Sequence, residues 1–280
     1  MYTTLITVPQ LMALKDALVF DCSFELMKPT EGDMQYLENH IAGAVRADLD
    51  RHLSSKPPLP AVNGGRHPLP QRERVAHWLA QCGLQAGQQV VVYDRQGANY
   101  CGRLWWMLKW LGHDAVAVLD GGLQAWQAAG GATSSGHEQP RQPGNFVVSA
   151  PVGQLRTVDQ VQQQLGQGQT IVDARATPRY KGDVEPLDPV AGHIPGALNR
   201  PFNLNLQADG TFKPAAQLRE EFLALLDGRD PASVVHQCGS GVSAVPNLLA
   251  MEIAGLGRSA LYAGSWSEWC ADPARPVEKG

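Results

Sequence analysis

The sequence predicts an α/β fold in which two similar domains follow each other, each a mostly parallel sheet flanked by helices. Short apolar runs that indicate buried strands alternate with segments of helical periodicity, which is typical of parallel sheets. The same order of elements occurs twice in the 280 residues. Half of this length is enough for one ordinary domain, so we predict two copies of one domain.

The first copy begins with apolar residues at helical spacing from Thr7. An irregular, proline-rich stretch from Arg46 to Pro70 follows the first strand and its turn. Apolar runs predict buried strands, and the segments between them predict helices, of which the second is dense in tryptophan. The predicted strands cover 17–22, 89–94 and 115–119, and the predicted helices cover 72–82 and 100–111.

The second copy repeats the landmarks of the first at nearly equal distances. A strand that ends in an acid, Asp21 in the first copy, returns with Asp173 at its end. The turn that begins at His40 returns as His193-Ile-Pro-Gly-Ala197. Because the histidine occurs in both copies, we interpret it as a turn-stabilising residue rather than a catalytic one.

The repeat also predicts the domain boundaries. We place the first domain at 1–135, a linker rich in Gly, Ser, Gln and Pro at 136–153, and the second domain at 154–280. Asp94 stands in the first copy where Cys238 stands in the second. A carboxylate cannot perform thiol chemistry, so we predict that the second domain is catalytic and the first is not.

Cys238 opens a glycine-rich loop between a predicted strand and a predicted helix. Gly239 and Gly241 allow the backbone to curl so that several N–H groups point inward, and the helix adds the positive end of its dipole. Such a loop favours an anion and would stabilise a thiolate. We predict that Cys238 is a nucleophile, although a lone cysteine is more often a small buried residue.

The segments on either side of this loop carry their own signals. The apolar run 232–235 predicts the strand, and 243–254 predicts the helix. Ser243 is predicted to cap this helix, which places Pro246 in its first turn, where a missing N–H costs little.

Composition limits the class of function. A hydrophobic content of 44%, a charged content of 18% and a net charge of −4 are globular values without an indication of nucleic-acid binding. No run approaches the roughly 18 apolar residues of a membrane span, and the N-terminus lacks signal-peptide features. Five cysteines without a CxxC pair fit neither a disulfide framework nor a zinc site. We expect a cytoplasmic protein with no metal or organic cofactor.

Several motifs together resemble a known family. The repeated turn, the strand that ends in a cysteine with a tight glycine loop, and Gly264-Ser-Trp-Ser-Glu-Trp269 resemble the tandem-domain rhodaneses and 3-mercaptopyruvate sulfurtransferases. The resemblance extends from Thr7 to Val277 and implies two rhodanese-like domains. The loop Cys238-Gly-Ser-Gly-Val-Ser-Ala244 is similar to that of the mercaptopyruvate enzymes, since thiosulfate enzymes often carry basic residues after the cysteine.

The resemblance implies a mechanism. The Cys238 thiolate would attack the sulfur of 3-mercaptopyruvate, release pyruvate and hold the sulfur as a persulfide, which a thiol acceptor such as thioredoxin would then take. Ser240, His67 and Asp50 match the family residues that assist proton movement. The residues implied to bind the substrate are Arg179, for the carboxylate, and the loop residues Gly239, Gly241, Val242 and Ser243.

One departure from the family pattern concerns carboxylate binding. Family members with a second binding arginine carry it in a Glu-Pro-Arg stretch, where this chain has Leu187. Arg103 and Lys181 are the replacements that we consider. The other cysteines, at positions 22, 82, 101 and 270, are expected to be structural, as is an ion pair of Arg175 with Asp173.

Three other functions are alternatives for a protein with such a cysteine loop. A phosphatase of this fold needs an arginine six positions after the cysteine, where Ala244 stands. A non-enzymatic binding or sulfur-carrier module would not need the complete loop, although the Val245-Pro246 pair after it is unusual. A thiosulfate:cyanide sulfurtransferase would use the same cysteine with another donor.

Overall fold

The computed structural model describes all residues from Met1 to Gly280 and divides into two compact units. The first unit comprises Met1–Pro60, Pro70–Gly153 and Leu206–Phe212. The second unit comprises Ala61–Leu69, Gln154–Asn205 and Lys213–Gly280. Each unit therefore contains one short segment from the other half of the chain. The sequence repeat does not predict this exchange of segments. Chain order alone placed 61–69 in the first domain and 206–212 in the second.

The first unit contains seven strands and five helices. The strands are β1 (Leu5–Ile6), β2 (Ala17–Asp21), β3 (His40–Ile41), β4 (Val45–Arg46), β5 (Gln89–Tyr93), β6 (Val116–Leu119) and β7 (Thr133–Ser134). The helices are α1 (Val8–Ala13), α2 (Glu31–Glu38), α3 (Arg72–Gln81), α4 (Cys101–Trp110) and α5 (Gly122–Ala128). Five strands form a parallel sheet in the order β1-β6-β5-β2-β4, and β3 pairs with β7 in antiparallel fashion.

The core of the first unit follows from its apolar runs. Strand β5 is buried on both sides of the sheet, as its consecutive residues Val90, Val91 and Val92 have no exposed surface. Helix α4 is buried along its whole length. Its tryptophans, at positions 105, 106 and 110, are buried in the core.

The second unit repeats this architecture. Its strands are β8 (Gln154–Arg156), β9 (Thr170–Asp173), β10 (Leu198–Asn199), β11 (Val234–Gln237) and β12 (Ala260–Tyr262). Its helices are α6 (Val158–Gln163), α7 (Thr177–Lys181), α8 (Ala215–Leu226), α9 (Val245–Ile253) and α10 (Ser265–Trp269), with 3-10 turns at Phe202–Asn205 and Pro231–Ser233. The parallel sheet has the order β10-β9-β11-β12-β8.

Strand β11 lies in the middle of the second sheet, and Cys238 follows its last residue. In open parallel sheets, ligands bind outside the carboxyl ends of the strands. The predicted nucleophile therefore lies at the edge where this architecture places active sites. None of the helices has the length and apolar character needed to cross a membrane.

The repeated histidine stabilises the same kind of turn in both units. The Nδ1 atom of His40 lies 2.6 Å from a backbone carbonyl, and that of His193 lies 2.8 Å from one. Three residues after each histidine, a glycine N–H donates to a glutamate, Glu138 in the first unit and Glu278 in the second, at 2.8 Å in both. This arrangement confirms the turn-stabilising role predicted from the repeat.

His236 is expected to make the folded protein less stable in mild acid. It is fully buried in β11 with Nε2 3.1 Å from the sulfur of Met251, and burial, with a smaller effect of Arg200, lowers its pKa to about 3. In the unfolded chain this pKa is about 6.5, so the unfolded state binds the proton first and stability falls as the pH drops from about 6.5 toward 3. This group alone should cost about 2 kcal/mol of unfolding free energy between about pH 7 and 5.

Urea unfolding at both pH values checks this prediction. The His236→Leu variant cannot titrate at this position, so its stability should fall by correspondingly less on acidification. Burial also lowers the pKa of His52, to about 4, but this residue is present in both proteins and contributes equally. Equal losses in the variant and the natural protein would contradict the assignment.

Candidate active site

Helix α10 holds the start of the cysteine loop. Cys238 is 2% exposed, and its backbone N–H donates to Ser265 Oγ at 3.1 Å. Its carbonyl accepts from the N–H of Trp266 at 3.0 Å, and the carbonyl of Gly239 accepts from the N–H of Ser267 at 2.9 Å. Three successive residues at the start of α10 therefore fix the first two residues of the loop.

Gly241 makes the tight curl of the loop possible. Its φ is +72°, and a Cβ atom built on it would lie 2.2 Å from the carbonyl oxygen of Ala263. Only glycine adopts this conformation and tolerates this approach without cost. The structure thus gives the physical reason for this glycine of the predicted loop, in which Val242 is also buried.

Helix α9 begins later than predicted. The prediction that Ser243 caps it is wrong: the N-cap residue is Ala244, and no side chain accepts a hydrogen bond from the first turn. Ser243 instead belongs to the loop. Pro246 does lie in the first turn, as predicted. No side chain caps the helix, and its first N–H groups donate to backbone carbonyls instead, that of Val245 to Val242 and that of Asn247 to Ala244, both at 3.1 Å.

Two residues of the predicted proton relay lie together in the second unit. The Nδ1 atom of His67 is 2.7 Å from Ser240 Oγ, and both side chains are buried. A hydroxyl held by an imidazole at this distance can exchange a proton with it. Asp50 belongs to the first unit, where its Oδ1 lies 2.9 Å from Lys56 Nζ. Its part in the relay stays a prediction.

Arg179, at the end of α7, is held by two acidic residues. Its Nη2 atom donates to Glu185 Oε1 at 2.7 Å and lies 3.3 Å from Asp188 Oδ2. Burial alone would raise the pKa of Glu185, but hydrogen bonds from Arg179 and from nearby backbone N–H groups outweigh it and lower this pKa. The guanidinium side chain is 18% exposed, so a small anion can reach it.

A second guanidinium, which the sequence did not predict to belong to the site, lies beside the first. Arg66 Nη1 donates to Asp188 Oδ1 at 2.5 Å, so Asp188 binds both Arg66 and Arg179. Arg66 and His67 lie on residues 61–69, the segment that joins the second unit and that we call the strap. A signal in the sequence is the pair Gly64-Gly65 directly before Arg66, which permits a close approach to another element.

The two residues considered as replacements for the missing arginine differ in their exposure. Arg103 is fully buried in α4 of the first unit, where its Nε donates to the carbonyl of Leu53 at 3.4 Å. It is a core residue without exposed surface, which argues against a role in carboxylate binding. Lys181 is exposed at the end of α7.

Arg175 has the structural role predicted for it. Its Nη2 donates to Asp173 Oδ2 at 2.7 Å, and its guanidinium lies over the ring of Trp266, 4.8 Å from the centroid. Burial would lower the pKa of this group, but the Asp173 carboxylate outweighs it and raises the pKa. A permanent cation thus supports the strand end next to the cysteine loop.

The other four cysteines are poor nucleophiles. Burial raises the pKa of Cys22 and Cys101 well above the ordinary value, that of Cys82 to about 12, and that of Cys270 as well. These thiols are protonated at neutral pH, and the thiolate is the reactive form. Neither the thiols nor any other His, Cys, Asp and Glu side chains form a group of three that could hold a metal ion.

In the first unit the corresponding loop already contains an anion. The Asp94 side chain is 2% exposed and accepts four backbone hydrogen bonds. Oδ1 accepts from the N–H groups of Gln96 and Ala98 at 2.9 and 3.0 Å, and Oδ2 accepts from those of Tyr100 and Cys101 at 2.8 and 2.9 Å. The Asp94 carboxylate thus accepts hydrogen bonds from the backbone N–H groups of its own loop.

Comparison with known proteins identifies the family. The pattern of the rhodanese-like domain matches residues 7–129 and again residues 157–272. The chain belongs to the rhodanese-like domain family. A Pseudomonas aeruginosa protein described as "Probable 3-mercaptopyruvate sulfurtransferase" is 49% identical to this rhodanese-like protein over 281 residues, covering 99% of this chain and 98% of the relative. The thiosulfate sulfurtransferase of Bos taurus is 33% identical over 258 residues, covering 90% of this chain and 84% of the relative.

A solved structure supports the same assignment. The 3-mercaptopyruvate sulfurtransferase from Leishmania major matches this rhodanese-like protein with a TM-score of 0.84 at 32% identity, covering 96% of this chain and 74% of that one. The prediction of two rhodanese-like α/β domains in tandem is therefore confirmed. The named relatives are all sulfurtransferases, and their names differ in the sulfur donor.

Proposed function

We propose that this rhodanese-like protein is a sulfurtransferase that moves sulfur from 3-mercaptopyruvate, through a persulfide on Cys238, to a thiol acceptor. The observation that carries the proposal is the loop itself. Cys238 starts a rigid curl at the centre of the sheet edge, and two residues later Ser240 is hydrogen bonded to His67 at 2.7 Å. The cysteine and the pair of Ser240 and His67 thus lie within one small region, which supports their proposed roles as nucleophile and proton-transfer pair.

The chemistry needs no outside oxidant or reductant. The Cys238 thiolate attacks the donor sulfur, so a sulfur–sulfur bond forms while the carbon–sulfur bond breaks. The electron pair of that bond leaves on carbon as the pyruvate enolate, which takes up one proton to give pyruvate. The Ser240 and His67 pair supplies this proton. The acceptor thiolate then attacks the outer sulfur and displaces the Cys238 thiolate.

Charge favours the mercaptopyruvate donor over thiosulfate. Residues 238–244 contain neither lysine nor arginine. Arg179 is already opposed by Glu185 and Asp188. Such surroundings suit one carboxylate better than a dianion, because each further negative charge meets acids that are already present. A thiol acceptor such as thioredoxin fits the second half-reaction.

The remaining assignments follow from the same chemistry. All five cysteines are free, a state that a reducing compartment such as the cytoplasm would maintain. The first domain, with Asp94 in its loop, has no thiol at the corresponding position and is assigned a non-catalytic role. The partners are then a small-molecule sulfur donor and a thiol, without a nucleic acid or a membrane.

Steady-state rates with the two donors and one acceptor thiol test the proposal. The kcat/KM for 3-mercaptopyruvate should exceed that for thiosulfate by at least about tenfold, or about 1.4 kcal/mol of transition-state discrimination. The Arg179→Ala variant should raise the KM for 3-mercaptopyruvate more than it lowers kcat. As a control, Arg258→Ala removes an exposed arginine that lies 3.7 Å from Glu252, and it should leave both constants unchanged.

The other outcomes are informative as well. A preference for thiosulfate would keep the persulfide and favour a thiosulfate:cyanide sulfurtransferase. If neither donor is turned over, sulfur on Cys238 would indicate a sulfur-carrier module, and no sulfur on Cys238 would indicate a binding module.

A further inference from the structure

Two adjoining cavities in the first unit share Arg51 and His52 in their walls. One cavity, of about 300 Å³, has apolar walls formed by Tyr36 and Leu37, and the other, of about 250 Å³, contains Arg74. All residues that line them belong to the first unit. Together the cavities form one cleft of the size that small-molecule sites have.

Arg74 is a cation without a carboxylate partner. Its Nη2 donates to the carbonyl of Arg51 at 3.3 Å, and its Nη1 is buried without a hydrogen-bond partner. A buried donor without an acceptor costs free energy, and the cost is larger when the donor is charged. An anion in the cleft would supply the acceptor that this guanidinium lacks.

The two other arginines of the cleft are already neutralised by aspartates. Arg46 Nε donates to Asp33 Oδ1 at 3.1 Å, and its Nη2 lies 3.3 Å from Asp48 Oδ2. Arg51 Nη2 lies 2.6 Å from the same oxygen of Asp33, and its Nε lies 3.4 Å from Asp48 Oδ1. These two arginines and two aspartates sum to no net charge. The charge of Arg74 remains uncompensated, so the cleft suits a monoanion.

His52 contributes an uncharged hydrogen-bond donor. The N–H of Asp48 donates to its Nδ1 at 2.9 Å, so the proton of the imidazole is on Nε2. Burial lowers the pKa of His52 to about 4, although the Asp48 carboxylate acts in the opposite direction. The ring is stacked on Trp78, with centroids 4.7 Å apart and planes at 8°. This stacking fixes the imidazole in the wall that both cavities share.

We propose that this cleft binds a small aromatic monocarboxylate. The carboxylate accepts from Arg74 and from the Nε2–H of His52, and the ring lies in the cavity with the apolar walls. A guanidinium fork matches the two oxygens of a carboxylate. The guanidinium of Arg51, held by its two aspartates, is placed to lie against the ring. The site belongs to the unit without the reactive thiol and does not depend on the proposed sulfur transfer.

Calorimetric titration of the full chain with indole-3-acetate tests the proposal. We expect a Kd below about 1 mM. The uncharged indole-3-acetamide lacks the carboxylate and acetate lacks the ring, so each should bind at least about tenfold more weakly. The titrations are repeated with Arg179→Ala, which removes the candidate anion-binding residue of the second unit. This variant should bind indole-3-acetate as the natural protein does.

Three variants of the cleft and one control locate the binding groups. Arg74→Met should raise the Kd of indole-3-acetate about tenfold or more, and Arg74→Lys should recover part of the loss. His52→Phe keeps a ring against Trp78 but lacks the donor, and it should raise the Kd about threefold or more. Arg258→Met removes an exposed arginine of the second unit and should leave the Kd unchanged.

Nuclear magnetic resonance locates the ligand without relying on a variant's affinity. The imidazole signal that is missing from the spectrum of His52→Phe belongs to His52, and in the natural protein it should shift as indole-3-acetate is added. Circular dichroism shows whether each variant is folded. If Arg74→Met does not fold, Arg74→Lys and the His52 signal decide.

Four results would overturn the proposal. They are a His52 signal that does not move, a Kd that is unchanged in folded Arg74→Met, loss of binding in Arg179→Ala, and no binding of indole-3-acetate at all. Inorganic phosphate is titrated as well. If it binds as tightly as indole-3-acetate, the cleft selects oxyanions without regard to the ring, and the proposed ligand class is wrong.

Discussion

Replacing Cys238 with serine is expected to abolish sulfur transfer and to lower kcat/KM with 3-mercaptopyruvate by at least about 10⁴-fold. A serine hydroxyl is a poor nucleophile at neutral pH and cannot carry a persulfide. The backbone bonds that hold position 238, from its N–H to Ser265 and from Trp266 to its carbonyl, do not involve the side chain. The loss therefore reports on the sulfur atom rather than on the fold of the loop.

Mass spectrometry of the intact protein provides the decisive measurement. After exposure to donor alone, the natural protein should gain the mass of one sulfur atom and lose it on addition of a thiol, and Cys238→Ser should gain nothing. Cys82→Ser is the matched control, since Cys82 is only partly buried and lies in the first unit. This control should transfer sulfur at the natural rate. Sulfur found on another cysteine of the Cys238→Ser protein would refute the assignment.

Replacing Asp94 with alanine should lower the free energy of unfolding by about 3–5 kcal/mol, because four N–H groups, three of them in buried hydrogen bonds, lose their acceptor together. Asp94→Asn should also be costly, since its amide keeps one oxygen acceptor and presents a donor to N–H groups that are themselves donors. Urea unfolding measures both variants.

A surface aspartate of the same unit provides the control for Asp94. Asp16 accepts one exposed hydrogen bond from Gln88 at 3.0 Å, so Asp16→Ala should cost less than about 1 kcal/mol. If Asp94→Ala costs no more than Asp16→Ala, the carboxylate does not hold the first loop together. A reduced rate of sulfur transfer alone would neither support nor contradict this structural role of Asp94.

The sequence indicated most of the regular structure and the tight loop that begins at Cys238, for a physical reason. Buried parallel strands are continuous apolar runs, so β5 and β11 are visible without tertiary information. Gly241 is required by local backbone geometry and is visible too. The contact of His67 with Ser240 was not visible in the pattern of residues, and only the family resemblance indicated it.

The irregular residues escaped prediction because their positions depend on distant partners. The strap has no periodicity, and it is placed by Glu268 and Ser267 on a helix near the other end of the chain. Its residue Arg66 could therefore not be assigned to the site from local sequence. The Ser243 cap failed for a similar reason, since that residue continues a loop whose shape is determined by Ala263 and the start of α10.

The docking of the strap also determines when the site can exist during synthesis of the chain. Arg66 and Ser267 are 201 positions apart. The strap leaves the ribosome long before α10 and has no helix to dock on until nearly the whole chain has emerged. A nascent or truncated chain that ends before α10 has the strap but lacks its anchors. A complete site, with the strap docked on α10, can consequently form only in chains whose synthesis is essentially finished.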